Sequence, residues 1–110
     1  MAKKPPTYTR LRLEEQVERQ ACEKIKDEWP QALIRKMSPQ GNNDWPDRMI
    51  ILPGVPAFFI EFKRVGTHPR PSQTYIMDRI KSLGSHAYVC YAVEEAIEFC
   101  RLEISQSYRA

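Results

Sequence analysis

A chain of 110 residues, 42% hydrophobic and 28% charged, has the make-up of one globular domain with a modest core and no room for a second. Its net charge of +3 permits a nucleic-acid partner without requiring one, because a clustered basic patch matters more than the total. Cys22, Cys90 and Cys100 lack CxxC spacing and paired histidines, which argues for reduced thiols of a cytoplasmic protein; no apolar signal region or membrane-length run is present.

In chain order, residues 1–8 hold Lys3, Lys4, Pro5 and Pro6 and read as a flexible basic arm ahead of a single domain over residues 9–110. Thr9 caps a helix that runs to about Glu28, where Pro30 ends it. At about 100° per residue, Val17, Ala21, Cys22, Ile25 and Trp29 form its inward stripe. Glu14 and Glu18 fall within that stripe, whereas Glu15 and Glu23 point away. A carboxylate on an inner face needs a partner or a metal, and Glu14 is the favoured member of the pair. Ala32 to Met37 makes a first strand with Arg35 and Lys36 near its exit, and residues 38–43 make a loop.

Arg48 to Leu52 and Ala57 to Lys63 are apolar, β-prone stretches separated by Pro53-Gly54-Val55-Pro56. Side chains alternate across a sheet, so Glu61 and Lys63 share one face and Phe62 takes the other. If the two strands form a hairpin, Asp47 comes close to Glu61. After a basic, proline-rich loop over residues 65–71, Ser72 caps a helix that Gly84 ends. Ile76, Met77, Ile80 and Leu83 form its apolar face, and Gln73 extends that face into the first turn. His86 to Ala92 is a strand with Tyr88 and Cys90 on one side and Ala87 and Val89 on the other. Both sides are apolar, as expected of a covered sheet. Glu94 to about Glu103 closes the chain as a helix with Ile97, Cys100 and Ile104 facing in. The order is α-β-β-β-α-β-α, an α/β chain.

Asp47, Glu61, a helical glutamate and Lys63 together suit a hard cation. Mg²⁺ is commonly held by one or two carboxylates and retained waters, and it activates water for attack on phosphorus. A lysine beside it orients that water or offsets developing charge, and Gln73 is placed to hold the water or a phosphate oxygen. The same acid–lysine spacing also occurs as a plain surface ion pair worth about 0.2–1 kcal/mol. GxxxxGK[ST] and GxGxxG are both absent, which argues against a nucleotide cofactor. His68 and His86 have no accompanying nucleophile and read as structural or solvent-exposed.

Pro46-Asp47, Glu61-Phe62-Lys63 and Gln73, preceded by an acidic helix, resemble the PD-(D/E)XK nuclease superfamily and, more narrowly, its viral-type replication and repair nuclease domain, VRR-NUC. The resemblance runs from about Leu13 to Cys100. It implies a restriction-endonuclease-like mixed β-sheet flanked by helices. It also implies Asp47 and Glu61 as ligands of Mg²⁺ or Mn²⁺, joined by Glu14 (Glu18 as substitute) and the Phe62 main-chain carbonyl. Lys63 would assist the attacking water, and Gln73 would be the motif glutamine. Trp45 departs from the family pattern, which often has glycine directly before Pro-Asp. Minimal viral and bacterial members resemble structure-specific nucleases of branched DNA, which implies DNA as partner, a homodimer acting on Holliday-junction-like substrates, and no membrane. Lys36, Arg64, Arg70 and Arg79 are the expected phosphate contacts outside the motif. Two other readings stay open: a nickase or flap-type nuclease, and a catalytically silent module that binds DNA or protein.

Overall fold

Seven elements follow one another in the expected order: α1 (Pro6–Glu28), β1 (Leu33–Lys36), β2 (Arg48–Ile51), β3 (Phe58–Phe62), α2 (Pro71–Ser82), β4 (His86–Cys90) and α3 (Val93–Ser107). The structure, a computed structural model, describes residues 6–37 and 44–107, with side chains of the first helix described from residue 13 onward. The first five residues of the expected basic arm, and the loop expected over residues 38–43, lie outside the described residues. Helix α1 begins at Pro6, ahead of the expected Thr9 cap. Proline is well suited to a first helical turn, because the N–H it lacks would have no intrahelical partner there.

The four strands form one mixed sheet in the order β1-β2-β3-β4, antiparallel through β3 and parallel between β3 and β4. A parallel pair needs a long crossover, and α2 supplies it. The β2–β3 link is a tight turn in which the Val55 N–H donates to the Leu52 carbonyl at 3.2 Å. Pro53 and Gly54 hold its central positions, and Gly54 has φ of 72°, the positive value a type II turn requires at its third residue.

Alternation along the strands divides the core in two. On one face Ile50, Phe58, Ile60, Phe62 and Cys90 pack with Ala21 and Ile25 of α1 and Ala96, Ile97 and Cys100 of α3. On the other, Met77 and Ile80 of α2 pack against Ala87, with Phe59 and Val89 beside them. Both sides of β4 are therefore covered, as its apolar sequence requires. All three cysteines are free thiols, with Cys90 and Cys100 buried. Among the described residues no helix is long and apolar enough to cross a membrane.

Three expectations are corrected. Leu83 is 74% exposed rather than buried. The helix ends at Ser82 and Leu83 is its C-cap, so its side chain falls beyond the turn that meets the sheet. Ser72 lies inside α2, whose N-cap is Arg70, and its hydroxyl donates to Asp44 Oδ1 at 2.9 Å. Helix α3 runs past Glu103 to Ser107, and Glu103 is only 4% exposed. Its carboxylate accepts from Tyr88 Oη and meets His86 Nδ1 at 2.6 Å, an exchange of solvent for fixed partners that periodicity does not reveal.

The Leu83 correction is checked by chemical denaturation of two variants. Leu83→Ser is expected to change stability by less than about 0.5 kcal/mol, as at other exposed positions. Ile80→Ala, which removes buried volume from the α2 core, is expected to cost about 2–5 kcal/mol.

Candidate metal-dependent active site

Asp47 and Glu61 enter the site from adjacent antiparallel strands. The Asp47 carbonyl accepts from the Met37 N–H at 2.9 Å, continuing the β1–β2 ladder one step past Arg48 and fixing the Asp47 backbone. Its carboxylate Oδ2 accepts from the Phe62 N–H at 2.8 Å, at the end of β3. Glu61, one residue earlier, projects to the α2 face with Val89 as its register partner. The Lys63 N–H donates to the Cys90 carbonyl at 2.9 Å, so the strand remains extended long enough to return Lys63 to the face of Glu61.

Glu61 is 2% exposed. Its Oε2 accepts from Gln73 Nε2 at 2.9 Å and lies 3.3 Å from Lys63 Nζ. Its Oε1 is buried with no hydrogen-bond partner, alone in this respect among the described side-chain atoms. Gln73 is held for its task by the start of its own helix. It is the third residue of α2, and its Oε1 accepts from the Arg70 N–H at 2.8 Å, the backward half of a capping box. Since a main-chain N–H only donates, the oxygen must face Arg70 and the amide NH₂ is left to face Glu61.

Burial pushes the Glu61 carboxyl up to about 7, helped by the Asp47 charge and opposed by Lys63. Burial also raises Asp47, against the Phe62 amide, which favours the charged form. Two carboxylates raised by burial, Glu61 further by the Asp47 charge and Asp47 further by Glu18, one with an orphaned buried oxygen, form a donor set that a small cation would neutralise and satisfy. The residues fit a hard divalent ion held by two carboxylates and water. No group of three or more His, Cys, Asp or Glu side chains able to hold a metal stands together among the described residues.

The two helical acids part company. Glu14 Oε2 accepts from the Arg64 N–H at 2.9 Å, next in the chain to Lys63. Glu18 is taken by two cations, Arg48 Nε at 2.7 Å and Lys36 Nζ at 3.3 Å. Of the expected phosphate contacts, Lys36 is thus engaged by Glu18, Arg70 lies 3.2 Å from Asp44, Arg64 is half-buried and Arg79 is exposed. Arg48 and Asp44 were not anticipated. Arg48 begins a strand and reads as an ordinary strand-edge charge, and only the register that sets it opposite Lys36 and below α1 reveals its partner. His68 is exposed, and His86 is tied to Glu103 at the far end of β4 from Glu61.

Among solved structures the chain is similar to one described as a VRR_NUC domain, at 28% sequence identity with a TM-score of 0.68, over 81% of this chain and 95% of that one. The resemblance noted in the sequence is therefore matched by the fold, a mixed sheet flanked by helices, over 81% of the chain. No family model matches the sequence. No curated protein matches it either.

The raised Glu61 pKa has a stability consequence with a definite sign. The folded chain keeps this proton to about pH 7, whereas the unfolded chain releases it near 4.5, so stability falls as the pH rises through that window. Asp47, also raised, acts in the same direction. In EDTA, thermal unfolding is expected to show a protein more stable at pH 5 than at pH 8. Glu61→Gln is expected to remove most of that difference, up to roughly 3 kcal/mol at about 1.4 kcal/mol per pKa unit. A variant as pH-dependent as the wild type would show that the proton sits elsewhere.

Proposed function

We propose that this VRR_NUC-like chain is a divalent-metal-dependent endonuclease that hydrolyses phosphodiester bonds in DNA and is selective for branched structures. The observation that carries the reading is the Glu61 carboxylate, buried beside Asp47 with one oxygen unpartnered and the other shared by Lys63 and Gln73. An ordinary surface ion pair would not be withdrawn from water in this way, and leaving a buried carboxylate oxygen unsatisfied is costly unless a ligand meets it.

In this reading Asp47 and Glu61 hold Mg²⁺ or Mn²⁺, with Glu14 as the helical acid and the Phe62 carbonyl as a main-chain ligand. Glu18 is the poorer substitute, since Arg48 and Lys36 already neutralise it. A bound divalent cation supplies charge that polarises a phosphoryl oxygen and makes water a competent nucleophile at neutral pH. The chain's own part is to position and to compensate. Lys63, fixed by its 3.3 Å contact to Glu61, orients the attacking water and offsets negative charge as it develops on phosphorus. Gln73 keeps Glu61 from rotating out of line, and its own rotation is blocked by the Arg70 amide. Lys36, Arg64, Arg70 and Arg79 contact backbone phosphates, which makes binding salt-dependent. A twofold dimer would offer two such sites to a four-way junction.

The test is cleavage of a labelled four-way junction, a flap and a linear duplex in Mg²⁺, Mn²⁺ or EDTA. Metal-dependent, symmetric nicks in the junction are expected, with Asp47→Ala and Lys63→Ala each lowering the rate by at least about a hundredfold, the scale of losing one electrostatic contributor. Cutting of flap or duplex in preference to the junction would retain the nuclease and remove the junction selectivity. DNA bound without cleavage in any metal would favour a silent binding module.

The ion itself is tested without catalysis. At pH 8, Mg²⁺ or Mn²⁺ is expected to raise the unfolding temperature of the wild type, since a ligand bound only by the native state stabilises it. Asp47→Asn is expected to abolish the rise, and an equal rise in that variant would remove Asp47 from the ligand set.

A further inference from the structure

The residue just ahead of Pro46-Asp47 sets a large aromatic ring at the surface beside the site. Trp45 is 40% exposed, while Pro46, between it and Asp47, is fully buried. The indole packs on the sheet, where it and the Phe59 ring form a T-shaped pair with centroids 5.8 Å apart and planes at 64°. The ring is thus partly accessible while packed against the sheet.

Its surroundings are basic. Phe59 pairs with Met49, and Met49 pairs with Arg35, so these three lie side by side across the α2 face. Adjacent strands are about 4.8 Å apart, which places the exposed Arg35 about 10 Å across the sheet from Phe59. On the helix side, Asp44, immediately before Trp45, accepts from Ser72 at 2.9 Å and from Arg70 Nη2 at 3.2 Å. Those contacts tie the loop to the start of α2 and hold the 60% exposed Arg70 side chain against it. Glu61 lies two residues along β3 from Phe59 and hence on this same face. A partly accessible aromatic ring next in the chain to an arginine-bound Asp44, on a sheet face that also carries Arg35 and Glu61, combines the two features that recognise single-stranded nucleic acid: a stacking surface for a base and cations for its phosphates.

We propose that Trp45 is a stacking platform for an unpaired base next to the scissile phosphate, and that it makes the protein favour DNA whose branch point or gap exposes an unpaired base over intact duplex. A base inside an intact duplex has both faces covered by its neighbours and reaches the indole only after costly unstacking, whereas a base at a gap, flap or branch point is already available. Arg35 and Arg70 contact the phosphates on either side. The location of the scissile phosphate rests on the nuclease reading, but the stacking itself does not need cleavage.

The experiment therefore measures binding in EDTA, to a paired duplex, the same duplex with a short gap, and an oligothymidylate. Trp45→Ala is expected to weaken the gapped and single-stranded complexes by about tenfold to a hundredfold, the usual effect of losing one stacked base, and to leave the duplex complex within about twofold. Unchanged duplex binding reports that the variant is folded, and Trp45→Phe, which keeps a smaller stacking ring, is expected to recover most of the loss. In a Trp29→Phe background, gapped DNA is expected to quench the remaining indole fluorescence. Equal weakening on all three DNAs, no weakening on any, or unquenched fluorescence would each overturn the proposal. Cleavage in Mg²⁺ is read separately. Asp47-dependent cutting without a Trp45-dependent preference sinks the stacking alone, and a Trp45-dependent preference without any cutting sinks the nuclease reading alone.

Discussion

Placing a carboxylate where water cannot reach it is the most demanding feature of this chain, and the local structure around Glu61 follows from it. A buried charge is tolerated only with partners of good geometry, and here each partner is fixed by something else. Lys63 reaches Glu61 because β3 stays extended through the Lys63 amide. Gln73 reaches it because α2 begins at Pro71 with its third residue turned inward and its oxygen already committed to Arg70. Asp47 stands nearby because the β2–β3 register and the Phe62 amide hold it there. An apolar side chain at position 61 would pack beside Val89 at less expense. Retaining a glutamate with an orphaned oxygen marks the point where the fold gives up stability, and such points are where function is to be sought.

A second buried glutamate supplies the contrast. Glu103 is about as deeply buried as Glu61, yet Tyr88 and His86 both meet it and it has no buried oxygen without a partner. Tyr88 is pushed up from its usual range by burial and by the Glu103 carboxylate, so it keeps its proton and remains a donor. The Tyr88 ring is wedged between Phe58, edge-on, and Phe99, stacked at 4.3 Å, which makes this network a brace between β4 and α3. Residue type and burial are alike at the two sites. Whether the hydrogen-bond account closes is what separates a structural carboxylate from one that awaits a ligand. Their placement agrees: Glu103 braces the start of β4, whereas Glu61 lies at the carboxyl end of β3, and open sheets with parallel strands characteristically bind ligands beyond strand carboxyl ends.

Much of this was legible in the sequence because the relevant signals are local. Period-two alternation gave Glu61 and Lys63 a common face, Pro53-Gly54 announced the turn, and the two-sided apolar content of β4 announced a covered strand. What escaped was decided by tertiary geometry. Leu83 fits the apolar period of α2, but the period ceases to apply at a C-cap. Ser72 looks like an N-cap because its hydroxyl suits one, yet that hydroxyl is used by Asp44, from a segment 28 residues away. In the sequence Glu103 marks only the approximate end of the last helix, and it is the packing of α3 on β4 that gives it Tyr88 and His86. Gln73 was visible as an inward amide, but its orientation is a property of the Arg70 backbone, which no side-chain pattern encodes.

The two acids of α1 show how the strand register resolves what helical periodicity leaves open. Glu14 and Glu18 are one turn apart on one stripe, and the period treats them alike. Below them the sheet does not. Glu18 lies over Arg48 and Lys36, which the β1–β2 register sets directly opposite each other, and two cations leave it little charge to offer an ion. One turn earlier, Glu14 lies over the end of β3 and accepts from a neutral main-chain amide, that of Arg64. A neutral donor orients a carboxylate without cancelling its charge, so Glu14 projects negative potential towards the strand end that carries Glu61, Phe62 and Lys63. The strand exit is thus approached by acids from both sides of the sheet, Glu14 from the α1 face and Glu61 from the α2 face, with Lys63 as the nearest compensating cation. Burial raises both Glu61 and Asp47 and Lys63 offsets this only in part, a setting that a divalent ion is suited to neutralise.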